Sequence, residues 1–225
     1  ICKYKLLLSL IPLCYEDVHV KIAVYYESLC PDSKAFITQQ LAPVWRDFRG
    51  VVKVKMVPYG KSTHDKINGK WQFNCHHGPD ECYGNKIQSC ILKDRHLPAP
   101  DKMELVICLM SQTNPDKSLD TSDFCLCGNI AVIFVIKKNK IVCFQCLTQQ
   151  NKLAESDKLK HCAAGDLGDT LLASYGDKTD TVQRPLSFVP TIVINEKYDQ
   201  ATQTEAFTNL KAVICRVATV KPAIC

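Results

Sequence analysis

No segment of this 225-residue chain approaches the roughly 18 consecutive apolar residues that cross a bilayer as a helix, so no helical membrane span is expected. The apolar run near its start, Leu6 to Cys14, is too short. No Asn-x-Ser/Thr triplet occurs, so no N-linked glycan is expected. No block of like charge occurs either. The net charge of +5 is spread along the chain, which argues against a nucleic-acid-binding face. One further absence is local. Cys30-Pro31-Asp32-Ser33 has no cysteine at its fourth position, so it cannot close a disulfide across one helical turn.

Cysteine is otherwise abundant, with 14 in the chain. A reducing cytosol would require metal sites or many bare thiols for such a number. An oxidising compartment makes it a disulfide framework with room for one reactive thiol. The chain start agrees with secretion. Lys3 and Lys5 precede the apolar run, and polar Glu16-Asp17 follows it. This is the order of a secretory leader, although an apolar first strand or helix gives the same pattern. Residues 1–17 are expected to be a signal peptide or its remnant. With 46% hydrophobic and 23% charged residues, the remainder, 18–225, suits one globular domain carrying a sizeable insertion.

The stretch from Val18 to Phe48 organises the rest. Val20, Ile22 and Val24 alternate with Lys21, Ala23 and Tyr25, a buried-strand pattern that ends at Glu27-Ser28. From Ser33 on, Phe36, Ile37, Gln40, Leu41, Val44, Trp45 and Phe48 recur at steps of three and four and line one helical face. Pro31 suits a first helical turn, where its missing N–H costs nothing. Cys30 therefore falls at a helix N-terminus, where unpaired N–H groups and the dipole favour a thiolate. That is the setting of a nucleophilic cysteine. Val51 to Val57 reads as a second strand, closed by Pro58-Tyr59-Gly60, and completes a βαβ unit with a parallel pair. Lys61 to Lys70 is a polar stretch, and Trp71-Gln72-Phe73 alternates like a short strand. Ile87, Cys90 and Ile91, and later Met103, Leu105, Val106, Leu109 and Met110, suggest helical segments broken by Pro98 and Pro100.

Between these lies a dense block, Cys75 to Cys90. Cys75, His77, Cys82 and Cys90 could supply four zinc ligands, but their spacing fits no zinc pattern, and a secretory start favours disulfides. No metal is expected, and His76 and His77 read as polar loop residues. Residues 75–90 spell C-x-H-G-x-x-E-C-x-x-N-x-x-x-x-C. This closely resembles the signature of the gamma-interferon-inducible lysosomal thiol reductase (GILT) family, which usually carries Gln where this chain has His76. The resemblance continues at Val24-Tyr25-Tyr26-Glu27, at Val57-Pro58-Tyr59-Gly60, at Cys162 to Gly168, at Thr179-Asp180 and at Val189 to Asn195. It covers about 18–112 and 146–225. It implies a thioredoxin-like α/β fold with a disulfide-rich helical insertion, about 61–185, between the second and third strands. It also implies reduction of protein disulfides in acidic compartments, with Cys30 as nucleophile and Ser33 in place of the usual second cysteine.

The second half fits such a fold. A helix beginning near Leu159 runs on through Leu171, Leu172 and Tyr175. Val189 to Ile194 is an apolar strand with Pro190 at its start, where proline is tolerated. Asn195-Glu196-Lys197 turns into a short edge strand, and Gln200 to Val217 shows helical spacing. The expected topology is βαβ, helical insertion, ββα. Pro190 is either an edge-strand proline without a role or a cis proline beside Cys30 that, with Val189, offers backbone groups to an extended substrate. Residues 122–144 fit least. They add about 20 residues to the usual spacing, either as a lineage-specific hairpin (Ile130 to Ile136 against Ile141 to Phe144) or, the reading we favour, as intron sequence read into the chain.

The cysteines sort accordingly. Cys2 and Cys14 lie in the leader, and Cys125, Cys127 and Cys143 in the extra segment. Setting Cys30 aside leaves Cys75, Cys82, Cys90, Cys108, Cys146, Cys162, Cys215 and Cys225. Eight cysteines permit four disulfides in 105 connectivities, with Cys215 and Cys225 close enough in sequence to pair around Pro222. Two functions follow. The first is a thiol–disulfide oxidoreductase acting through Cys30 on disulfide-containing proteins or peptides. It needs no bound cofactor, but it needs an external small thiol such as glutathione or cysteine. The second is a catalytically weak or inactive, secreted thioredoxin-like binding protein. Either works in the secretory pathway, outside the cell or in lysosomes and endosomes.

Overall fold

The computed structural model describes residues 20–111, 136–137, 140–141 and 149–225. Residues 1–17 lie outside them, as do Cys146 and most of 122–144. Of the expected hairpin there, only an antiparallel pair is described, β5 (Ile136–Lys137) against β6 (Lys140–Ile141).

The central sheet has the order β2-β1-β7. Strand β1 (Val20–Tyr26) runs parallel to β2 (Val52–Pro58), with Val20 opposite Val52, and antiparallel to β7 (Thr191–Ile194), with Ile22 opposite Ile194. Side chains alternate between the faces of a strand, so β1 builds two cores. Val20, Ile22, Val24 and Tyr26 enter the larger one. Tyr25 points the other way and joins Val57, Val193, Leu172 and Tyr175 in a smaller one.

The helix after β1 forms as its periodicity predicts, but not uniformly. It runs as α1 (Pro31–Phe36), then a π-helical turn over Ile37–Leu41, then α2 (Ala42–Asp47). Pro43 has no N–H for the carbonyl four residues back, and the Ala42 N–H reaches instead to the Ile37 carbonyl. The bulge keeps Phe36, Ile37, Leu41, Val44 and Phe48 buried on one side. Each such side chain contributes about 1.5–3 kcal/mol through lost contact with water.

Between β2 and β7 the insertion is not wholly helical. It opens with a hairpin, β3 (Thr63–Ile67) and β4 (Lys70–Asn74), closed by Asn68-Gly69, both at positive φ. The polar stretch Lys61 to Lys70 thus holds a strand and a turn. Helix α3 (Pro79–Lys93) and α4 (Ala99–Ser111) follow, with Pro100 inside the first turn of α4 and not breaking it. The helix expected near Leu159 is two helices, α5 (Gln149–Ala164) and α6 (Asp166–Asp180), parted at Gly165. The expected edge strand after β7 is a single bridge, Ile194 to Lys197, because Asn195 and Glu196 turn at positive φ and Asp199 already caps the last helix. That helix, α7 (Gln200–Val217), covers β7 and the π-helical turn, with a kink at Asn209.

Disulfides join Cys75 to Cys82, Cys90 to Cys162 and Cys215 to Cys225. Cys108, on α4, is half-buried. The tetrad of Cys75, His77, Cys82 and Cys90 is not available to zinc, since its three cysteines are all held in disulfides.

Candidate active site

Cys30 occupies the junction of β1 and α1, in the N-cap position, with extended backbone (φ −61°, ψ 122°). Its thiol lies 3.8 Å from the Val189 carbonyl and donates to it. The Val189–Pro190 peptide is cis, and Pro190 leads directly into β7. Cys30 is 8% exposed and packs in the smaller core with Tyr59, Leu186 and Val189. At the rim, Phe188 is exposed and rests edge-on against Phe207, which stacks on Phe36. Cysteine, cis-proline segment and the exposed Phe188 ring thus meet at one end of the sheet. Ser33 is fully buried and its Oγ accepts a 3.4 Å hydrogen bond from the Glu27 N–H. Its own hydroxyl proton is left to donate elsewhere.

The cysteine loop is held from behind by the 75–90 block. Asn85 Oδ1 accepts from the Ser28 N–H at 2.9 Å, and Ser28 Oγ donates to the Glu81 carbonyl at 3.2 Å. Tyr26 donates its hydroxyl to Gln88 at 2.5 Å. The gapped spacing of the signature now has a cause. Its cysteines form the Cys75–Cys82 loop closure and the Cys90–Cys162 tie, and its Asn and Glu lie one turn apart on α3, facing the Cys30 loop. Gly78 caps α3 at φ 90°, a conformation side chains resist.

Glu27 carries the second layer. It is fully buried, and its Oε1 accepts from the Lys61 N–H at 2.7 Å. Gly60 must be glycine here, since a Cβ would collide with the Glu27 side chain. Its Oε2 faces His76 and His77. Both histidines lie in the exposed turn before α3, as polar loop residues, with one ring nitrogen of each directed at the buried Glu27 carboxylate. Burial raises the Glu81 carboxyl above the ordinary range and the Glu27 charge adds to this, while hydrogen bonds from His77 oppose it.

Gln203 on α7 is the residue that periodicity conceals. It is 3% exposed, donates to the Pro190 carbonyl at 3.0 Å and accepts from the Ile192 N–H at 2.6 Å. A polar residue on an apolar helix face, three before Ala206 and seven before Leu210, was the available signal. Gln203→Leu leaves two buried backbone groups unpaired. It is expected to cost about 2 kcal/mol or more, read as a lower urea midpoint at unchanged slope.

The family model described as "Gamma interferon inducible lysosomal thiol reductase (GILT)" matches residues 21–131. GILT-like protein 1 of Drosophila melanogaster is 35% identical over 98% of this chain and 84% of its own length. The gamma-interferon-inducible lysosomal thiol reductase-like protein of Anopheles gambiae is 32% identical over 94% and 82%. The gamma-interferon-inducible lysosomal thiol reductase of Carassius auratus is 28% identical over 92% and 72%. Among solved structures, oxidised BdbD from Bacillus subtilis superposes with a TM-score of 0.50 at 13% identity, covering 86% of this chain and 90% of that one. DsbA of Chlamydia trachomatis gives 0.50 at 12% identity, covering 88% and 85%. These structural likenesses support the fold, which is thioredoxin-like. With 35% identity across most of both chains, and the signature folded around the Cys30 loop, this protein belongs to the gamma-interferon-inducible lysosomal thiol reductase (GILT) family.

Proposed function

We propose that this protein is a thiol–disulfide oxidoreductase that works through one nucleophile, Cys30, by a monothiol mechanism. The observation that carries the reading is the thiol of Cys30 at a helix N-terminus, 3.8 Å from the carbonyl that precedes Pro190. The Cys30 thiolate attacks one sulfur of a substrate disulfide. One substrate sulfur leaves as a thiolate, and the other stays bonded to Cys30. Ser33 stands where a dithiol enzyme has its resolving cysteine, and an alcohol forms no S–S bond. A glutathione or cysteine thiolate must then attack the mixed disulfide, expelling either Cys30 or the substrate sulfur as a thiolate. A second such thiolate resolves the small-thiol mixed disulfide that remains, so that two small thiols end as one disulfide and the substrate and Cys30 both end as thiols. A further thiolate of the same substrate can do so too, and the outcome is then isomerisation without net reduction. Ser33 supports the Cys30 thiolate through its spare hydroxyl proton. Val189 and Pro190 present the backbone against which an extended substrate segment lies, and exposed Phe188 adds apolar contact.

The three disulfides suit an oxidising secretory route, and several relatives carry "lysosomal" in their names. We place the protein's work outside the cell or in the endosomal and lysosomal lumen. Among the described residues no helix is long and apolar enough to cross a membrane. Ser33 also gives a second reading some weight, a binding module that holds cysteine-containing peptides without turnover. Alkylation by iodoacetamide between pH 5 and 7 separates the two. The enzyme is expected to lose Cys30 to the reagent well ahead of a cysteine-containing peptide of the same sequence. Labelling at the peptide's rate would support the binding module.

A further inference from the structure

We propose that Glu27, His76 and His77 form a binding site for a divalent first-row transition ion of the zinc type, with Glu81 as the nearest further oxygen. The three residues offer ligand atoms within 4.8 Å of one another. Glu27 Oε2 lies 3.2 Å from His76 Nδ1 and 3.3 Å from His77 Nδ1. Zinc bound at about 2.0–2.1 Å sets tetrahedral ligand atoms about 3.3–3.4 Å apart. The spacing already present is therefore close to the edge of the coordination polyhedron. Glu81 Oε2 stands at hydrogen-bond distance, 2.6 Å, from the same His77 nitrogen, so an ion bound there displaces the proton between them, and the Glu81 Oε1 is held by the His77 N–H at 3.0 Å.

The parts differ in rigidity in a way that suits an ion site. Both carboxylates have fully buried side chains, and Glu27 is fixed by the Lys61 N–H and the close backbone of Gly60. The histidines sit in the loop closed by Cys75–Cys82, with side chains 51% and 32% exposed, so an ion can reach them from solvent. Two buried carboxylates side by side need positive charge nearby. The histidines supply it only when protonated, whereas a divalent cation supplies it outright. Imidazole nitrogen and carboxylate oxygen are ligands that zinc and its neighbours accept. Glu27 lies three residues before Cys30, so a bound ion ties the nucleophile's loop to the 75–82 loop. The proposal does not depend on the redox reading.

The test uses the oxidised, untagged full chain carrying Cys30→Ser, so that the nucleophilic thiol is removed as a competing ligand. Zn2+ is titrated against a chromophoric chelator, and Co2+ is added separately for its absorption spectrum. One ion per chain is expected, with a nitrogen- and oxygen-type Co2+ spectrum free of a thiolate charge-transfer band. His76→Gln is expected to weaken Zn2+ binding at least about tenfold, the smallest loss that removing even an outer-shell partner brings. His76 also contacts the buried Glu27 carboxylate at 3.2 Å, so the variant's metal-free melting temperature is expected to fall, and Zn2+ binding is read well below it, on folded protein. His77→Gln serves as a second variant with the same expectation for binding. The site is ruled out by Zn2+ binding weaker than about 100 µM, by a thiolate band, or by both variants binding as tightly as the parent.

Discussion

Replacing Cys30 by serine is expected to bring disulfide reduction down to the background of the external thiol and to abolish covalent complexes with substrate. A hydroxyl at this position stays protonated across the working pH range and cannot form an S–S bond, so both steps of the exchange are lost. The fold should survive, because the substitution trades one atom, and a hydroxyl can still donate to the Val189 carbonyl that the thiol faces. No other cysteine among the described residues is placed to take over. Six are sealed in disulfides, and Cys108 lies on α4, outside the cluster that holds Cys30. Turnover of a disulfide-bonded reporter substrate at fixed glutathione reads the effect. Activity retained above background would mean that another thiol does the work.

Ser33→Cys is expected to act in the opposite sense. Residues three apart on a helix face the same way, so a thiol at position 33 can reach the mixed disulfide at Cys30. Intramolecular attack replaces a bimolecular encounter with millimolar glutathione. Well-placed groups reach effective molarities far above that concentration, so trapped complexes should fall on the order of tenfold or more. Turnover should rise, and the dependence on glutathione should shift from resolving the mixed disulfide to re-reducing the new disulfide between positions 30 and 33. Ser33 is fully buried, but sulfur for oxygen is a small change, and the long hydrogen bond from the Glu27 N–H is weakened. Band intensities on a non-reducing gel at several glutathione concentrations measure the change. Unaltered trapping would show that Ser33 does not occupy the resolving position.

Much of this site was legible in the chain because it is local. The strand at Val20 to Tyr26, Pro31 at a first turn and the apolar periodicity after Ser33 placed Cys30 without reference to anything distant. The C-x-H-G-x-x-E-C-x-x-N-x-x-x-x-C spacing gave the family. What remained hidden depends on contacts between segments far apart. Gln203 reaches Pro190 and Ile192 across the sheet, and Asn85 reaches Ser28 across 57 positions. Glu27 reads as an ordinary strand-end acid, and only the fold shows it buried beneath two histidines. The β3–β4 hairpin is a different kind of miss. Asn68-Gly69 is a strong local turn signal, and the polar residues around it obscured a strand whose side chains are mostly exposed. The split at Gly165 was also local, since a glycine parts the apolar pattern there.

The most direct measurement is a mass-mapped non-reducing gel. Wild-type protein and Cys30→Ser are incubated with a disulfide-bonded substrate over a range of glutathione concentrations, and every covalent complex is digested to find its linking cysteine. The wild type should give complexes linked only through Cys30, fading as glutathione rises while reduced substrate accumulates, and the variant should give none. The same bands and the same activity from both proteins at every glutathione level would contradict the assignment of Cys30 as the working nucleophile.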